Sequence, residues 1–228
     1  YQSAVLNWLV GQEKLRLERG AFYPEKMFEY ECQTAKKLAA LLDNIQKKKV
    51  DIEPVLDQAE QELSICLSLK QKEAVRKAFA CPVSIITGGP GTGKTTIQKV
   101  LLYINEHTEK RTVLLTAPTG RASRRMAEST GYEESSTMHS ALGLGMEEEE
   151  GAGFDYLEAG FILADEFSMV DMRLAYEFFS RIHSGTRLVL IGDVDQLPSV
   201  GPGSVFRELI SSGAIPVTVL DLVYRQKE

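Results

Sequence analysis

Gly88-Gly89-Pro90-Gly91-Thr92-Gly93-Lys94-Thr95 stands directly after the apolar run Val83–Thr87 and directly before an amphipathic segment. It matches G-x-x-x-x-G-K-[ST] in the strand-then-helix context that gives this pattern its meaning. Glycines let the backbone wrap so that its N–H groups face phosphate oxygens, and the following helix adds its positive N-terminal end. The predicted phosphate-binding segment is therefore Gly89, Pro90, Gly91, Thr92, Gly93, Lys94, Thr95 and Thr96, with Lys94 reaching the terminal phosphates. The Thr95 hydroxyl suits Mg²⁺, a hard ion that takes oxygen ligands.

Outward from this stretch, four further apolar runs alternate with helical spacing: Val113–Ala117, Phe161–Ala164, Leu188–Ile191 and Val217–Leu220. Short apolar runs separated by amphipathic helices predict an α/β fold, a parallel sheet flanked by helices, with ligands at the carboxyl ends of the strands. The run Phe161–Ala164 ends in Asp165-Glu166, which supplies what a phosphate loop lacks. Asp165 is the predicted second Mg²⁺ holder, and Glu166 the base that orients and deprotonates water for attack on ATP.

Before Ser68 the sequence reads as helices only, with Pro24 and Pro54 opening two of them and Leu38, Leu41, Leu42 and Ile45 forming one packed face. Ser68-Leu69-Lys70-Gln71 fits a capping box, which starts a helix there. The expected division is a helical region over residues 1–67 and an ATP-binding domain over 68–228, interrupted by an insertion at about 143–158 that includes the acidic run Glu147–Glu150.

A net charge of -6 argues against coating nucleic acid by bulk positive charge, so any such contact is local. The 3 cysteines, Cys32, Cys66 and Cys81, show no C-x-x-C pairing, and a reducing, cytoplasmic setting is the simplest expectation. No apolar run approaches the roughly 20 residues that span a bilayer, so no membrane partner is expected. Tyr1 at the start and Arg225–Glu228 at the end read as boundaries cut from a longer protein.

Taken together with Ala117-Pro118-Thr119-Gly120-Arg121-Ala122, Thr137-Met138-His139, Gly192–Pro198 and Tyr224-Arg225-Gln226, these segments resemble superfamily 1 helicases, specifically the RecD-like branch. The resemblance covers Leu69–Gln226 and implies a RecA-like P-loop NTPase fold, the first of two motor domains, and ATP-driven 5′ to 3′ movement on single-stranded DNA. It implies Gln71 as the adenine reader, beside the purely structural job of capping partner. Gln196 would sense the terminal phosphate and Arg225 would stabilise its charge. Subunits of a nuclease complex are implied as partners, and the insertion as a pin at a junction with duplex.

Pro118, Thr119, Gly120 and Arg121 follow a predicted strand and open a helix, so their hydroxyl and N–H groups can hold a DNA phosphate. Arg121, Arg124 and Arg125 form a local basic edge there, and the resemblance adds Thr137 and His139 as DNA contacts. Ala164 and Phe167 depart from the family's pattern around the acidic pair, which predicts different packing beneath the magnesium position. With the second motor domain outside this sequence, the expectation is weak nucleotide binding and poor hydrolysis by this segment alone. Two other readings compete: a P-loop ATPase that switches a protein partner, and a passive module recruited through the helices before Ser68. Stimulation of turnover by DNA separates the first from a strand motor.

Overall fold

The apolar runs need cover on two faces, and in the computed structural model, which describes residues 2–43, 50–144, 155–196 and 199–221, they find it in one six-stranded parallel sheet. In chain order the elements are α1 (Gln2–Gly11), β1 (Leu15–Glu18), β2 (Ala21–Pro24), α2 (Glu25–Leu42), α3 (Glu53–Glu62), α4 (Leu69–Ala80) and β3 (Val83–Gly88). There follow α5 (Lys94–His107), β4 (Val113–Ala117), α6 (Gly120–Thr130), β5 (Ser135–Thr137), α7 (Met138–Ala141) and β6 (Phe161–Ala164). After a 3₁₀ turn at Phe167–Met169 come α8 (Met172–Ser180), β7 (Arg187–Gly192), α9 (Val205–Ser211) and β8 (Val217–Leu220).

The large sheet has the order β5-β4-β6-β7-β3-β8. Because side chains alternate across a strand, each central strand feeds two cores. Ile162, Leu188 and Leu190 face one core with Phe167, Phe178 and Phe206; Phe161, Leu163, Val189 and Ile191 face the other with Ile97, Leu101 and Ile104. The expected strands recur with the same cores, and one strand was not expected: β5, whose Ser-Ser-Thr sequence pairs at the sheet edge beside β4.

The all-helical expectation for the first residues is corrected by an antiparallel hairpin, with Leu15 opposite Pro24 and Glu18 opposite Ala21. Arg19 and Gly20 form its tip with φ of 49° and 83°, the paired positive values that match the twist of a two-residue hairpin turn. Both strands are largely exposed, so no buried face imposed a period of two on the sequence.

Residues on both sides of position 67 contribute to the same two cores. Leu38 and Leu41 of α2 join one face of the sheet, while Leu56 and Ala59 of α3 join the other. Tyr30 stacks on Tyr176 at 4.6 Å and fastens α2 to α8. Ile45, the fourth member of the expected apolar face, lies outside the described residues. Pro24 caps α2, Pro54 sits in the first turn of α3, and the Ser68 capping box opens α4 as expected.

At the base of the sheet Arg187 is almost fully buried. Its guanidinium meets Glu109 at 2.9 Å, donates to the Ala78 carbonyl at 2.8 Å, and lies 5.0 Å over the Phe79 ring. Among the described residues no helix is long and apolar enough to cross a membrane.

Candidate nucleotide and strand site

The turn from β3 into α5 depends on close backbone approach. A Cβ on Gly88 would lie 2.8 Å from the Leu220 carbonyl oxygen of β8, and Gly93 adopts φ +88°, a conformation that favours glycine. Thr92 is buried, and its hydroxyl donates to the Gly89 carbonyl at 2.8 Å. Lys94 Nζ donates to the carbonyls of Gly88 and Gly89, the latter at 3.1 Å, so the ammonium lies folded into the mouth of the loop.

Gln71 braces this loop from α4. Its Oε1 accepts from the Ser68 amide at 2.9 Å, its own amide donates to Ser68 Oγ at 3.2 Å, and Nε2 donates to the Thr92 carbonyl at 3.1 Å. The structural job weighed for Gln71 is thus occupied on both ends of its amide, and an adenine contact would draw on its second N–H.

Across the loop, β6 delivers the acidic pair. Asp165 Oδ1 accepts from the Glu166 amide at 2.8 Å. Glu166 holds φ 50°, ψ 35°, a left-handed conformation uncommon for a side-chain-bearing residue. Its Oε2 is buried without a hydrogen-bond partner among the described residues. Burial first, then the neighbouring Asp165 charge, pushes the Glu166 carboxyl above the ordinary carboxylate range, while Lys94 and Arg125 pull it back. A raised proton affinity suits a group that must accept a proton from water. Phe167, next in sequence, is packed against Phe178, Phe179 and Phe206 with ring centroids 6.0, 5.8 and 6.1 Å away. Ala164, fully buried, belongs to the same core cluster as these rings.

Lys94, Thr95, Asp165, Glu166 and Gln196 converge on one cleft of about 120 Å³, with Pro90 at its edge. The donor set fits magnesium and a polyphosphate: a threonine hydroxyl, a carboxylate, an ammonium, and glycines whose side-chain hydrogens leave the backbone open. Asp193, buried at the end of β7, stands behind the loop, and the Val194 amide donates to Thr87 Oγ1 at 3.2 Å to hold β7 against β3. Arg225 and its neighbours Tyr224 and Gln226 lie outside the described residues.

Helix α6 runs along the cleft with Ala122, Arg125, Met126 and Ser129 facing it. The basic edge read from the sequence is therefore split: Arg125 belongs to the nucleotide cleft, and Arg121 and Arg124 remain exposed. The spacing of one helical turn between Ala122 and Met126 carried this signal, but arginine in such a run reads first as a strand contact.

At the start of α6, Thr119 Oγ1 accepts from the Ala122 amide at 3.2 Å, and Thr137 caps α7 the same way through Ser140 at 3.1 Å. Pro118, Thr119 and His139 share a groove of about 520 Å³ with Met169, Arg173 and Val200, three residues not singled out from the sequence. Met169 and Val200 are exposed apolar side chains that widen the groove's apolar floor. Gly120 adjoins the Thr137 methyl, whereas neither Arg121 nor Thr137 lines this groove. The expected insertion is described only at its edges, because residues 145–154 lie outside the described residues.

The family described as AAA domain matches residues 71–202. The chain is 37% identical over 169 residues to the RecBCD enzyme subunit RecD of Haemophilus influenzae, covering 61% of this chain and 26% of that protein. It is 36% identical over 163 residues to the ATP-dependent RecD2 DNA helicase of Deinococcus radiodurans, covering 70% of this chain and 22% of that one. Among solved structures, the Pif1 helicase of Candida albicans superposes with a TM-score of 0.52 at 27% identity, over 72% of this chain and 41% of that chain. The chain thus spans about a quarter of the curated relatives it matches. The family model spans more than half of the chain, and the chain belongs to the AAA-domain family and to the RecD-like superfamily 1 helicases.

Proposed function

We propose that the protein containing this chain is an ATP-dependent motor that moves 5′ to 3′ along single-stranded DNA, and that this chain is its nucleotide-binding half. The observation that supports this most is the convergence of Lys94, Thr95, Asp165, Glu166 and Gln196 on one cleft, with the Pro118, Thr119 and His139 groove reached by the same helix α6. Phosphoryl transfer needs little covalent help from a protein and depends on positioning and charge stabilisation, so one converging cleft is the arrangement it requires.

The loop amides and Lys94 hold the phosphates. Thr95 and Asp165 would hold Mg²⁺, which when bound neutralises charge on the phosphate oxygens. Glu166, at the end of β6 and lining the cleft, orients the attacking water and takes its proton. Gln196 can bond a phosphate oxygen and that water together, and Arg225 would complete the charge stabilisation. Thr119 and Gly120 hold a strand phosphate, with His139 and Thr137 beside them, which is contact with the backbone and suits passage over any sequence. RNA carries the same phosphates. The Haemophilus relative is named as a subunit of the RecBCD enzyme, which makes nuclease-complex subunits the partners to seek.

The test is ATP hydrolysis by the full-length protein, with and without single-stranded DNA, beside Glu166→Gln. The expected outcome is turnover that rises at least about tenfold with DNA and falls by about 10² or more in the variant, with nucleotide binding kept. Turnover indifferent to DNA would replace the strand motor with a partner-switching ATPase.

A further inference from the structure

Arg125 is the positive group in the cleft that no family pattern quoted above places there. It projects from α6 on the same face as Ala122, Met126 and Ser129 and lines one cleft with Lys94 and Thr95 of the phosphate loop and with Glu166. Among the described residues no ion pair engages it, and it is exposed, so no salt bridge holds its charge to the fold. Its charge acts on Glu166 alongside that of Lys94. A guanidinium that lines a cleft with a phosphate loop, with no anion paired to it among the described residues, is suited to receive an anionic ligand. Its planar fork matches two oxygens of one phosphate, which a point ammonium does not.

The neighbours of Arg125 in the cleft point to which phosphate. The loop amides and the N-terminus of α5 enclose the phosphates nearest the loop. Arg125 lines the same cleft as Glu166 and Gln196, the pair that must meet the attacked phosphate and the water, and it stands near enough to Glu166 for its charge to act on that carboxyl. We propose that Arg125 is a ligand of the terminal phosphate of a nucleoside triphosphate, supplied in cis from α6, and is not a strand-gripping arginine. This rests on the nucleotide-binding reading above and adds to it the residue that distinguishes triphosphate from diphosphate.

The consequence is selective. Loss of Arg125 removes contacts to the third phosphate and leaves those to the first two intact. Equilibrium titration of the 228-residue chain with a non-hydrolysable fluorescent ATP analogue and with fluorescent ADP, both with Mg²⁺, reads this directly. In Arg125→Ala the triphosphate affinity is expected to fall on the order of tenfold to a hundredfold, the value of a charge-assisted contact, while ADP changes less than about twofold. Arg125→Lys should recover part of the triphosphate affinity, since it returns the charge without the fork. Far-UV dichroism and the urea midpoint of both variants should match the parent chain, because the side chain is exposed.

Equal weakening of both nucleotides would overturn the proposal, as would no change in either while Lys94→Ala abolishes binding of both. The second result would leave the nucleotide reading intact. Binding of both nucleotides that survives Lys94→Ala would instead remove that reading, and this proposal with it.

Discussion

Substitution of Gly93 by alanine tests the brace between α4 and the phosphate loop. Two costs can be worked from the geometry. Alanine at φ +88° carries about 1–2 kcal/mol of left-handed strain. Its Cβ would also run into Gln71 Nε2, the atom that donates to the Thr92 carbonyl, so Gln71 must leave its place. Leaving the buried Thr92 carbonyl and the Ser68 amide without that partner costs roughly a further 1–3 kcal/mol. Gly93→Ala should therefore lose about 2–5 kcal/mol, and Gln71→Ala alone about 1–3 kcal/mol. The two losses share a term, because in Gly93→Ala the glutamine is already displaced. Urea unfolding of the parent, both single variants and the double variant should show the double less destabilised than the sum, by about 1–3 kcal/mol, with the m-value constant. Strict additivity would refute the reasoning, since it would mean that Gln71 neither presses on Gly93 nor braces Thr92.

Two further expectations concern stability alone. Glu60 is held below the ordinary carboxylate value of 4.5, chiefly by the Lys72 ammonium at 2.6 Å and also by the Leu67 amide at 2.7 Å. A carboxyl with a lowered folded pKa binds fewer protons when folded, so its contribution is present above its unfolded value and is lost as pH falls through the folded one. Acid unfolding should then show the parent losing stability more steeply than Glu60→Gln between about pH 5 and pH 3, with the curves converging at the acid end; parallel curves would remove Glu60 from the account. Glu109→Ala takes the carboxylate from almost fully buried Arg187 and should cost about 3–5 kcal/mol in thermal or urea unfolding, and a loss below about 1 kcal/mol would show that the backbone carbonyls suffice.

Where the sequence was informative, the reason is burial. β3, β6 and β7 are buried along their whole length, so most of their residues are apolar without alternation and the runs stand out between helices. The phosphate loop and the acidic pair were legible because backbone geometry and metal chemistry restrict their residue types. β5 was missed because an edge strand of Ser135, Ser136 and Thr137 has no apolar requirement, and the β1-β2 hairpin because exposed strands leave no period of two. Arg125 shows a different limit. Residue type told that α6 was basic, but which of Arg121, Arg124 and Arg125 turns toward the cleft depends on how the helix is rotated against its neighbours, and that is set by burial of Ser123 and Met126. Gln71 shows a third, since cap and loop brace are satisfied by one amide and only the fold brings Thr92 within its reach.

The place of β3 in the sheet bears on how the molecule comes into being. β3 pairs with β7 and β8, Val83 against Leu188 and Ile85 against Val217, and with neither β4 nor β6. A chain emerging in order from the ribosome therefore releases its phosphate-loop strand long before either flanking strand exists. Such long-range pairings form slowly, because loop closure must precede the contacts that reward it. Until β7 arrives, Val83, Ile85 and Ile86 form an unpaired apolar edge of the kind that recruits chaperones or aggregates. Because the strand that carries the loop is flanked only by β7 and β8, any gain in folding yield from nucleotide is expected only after β8 has been synthesised.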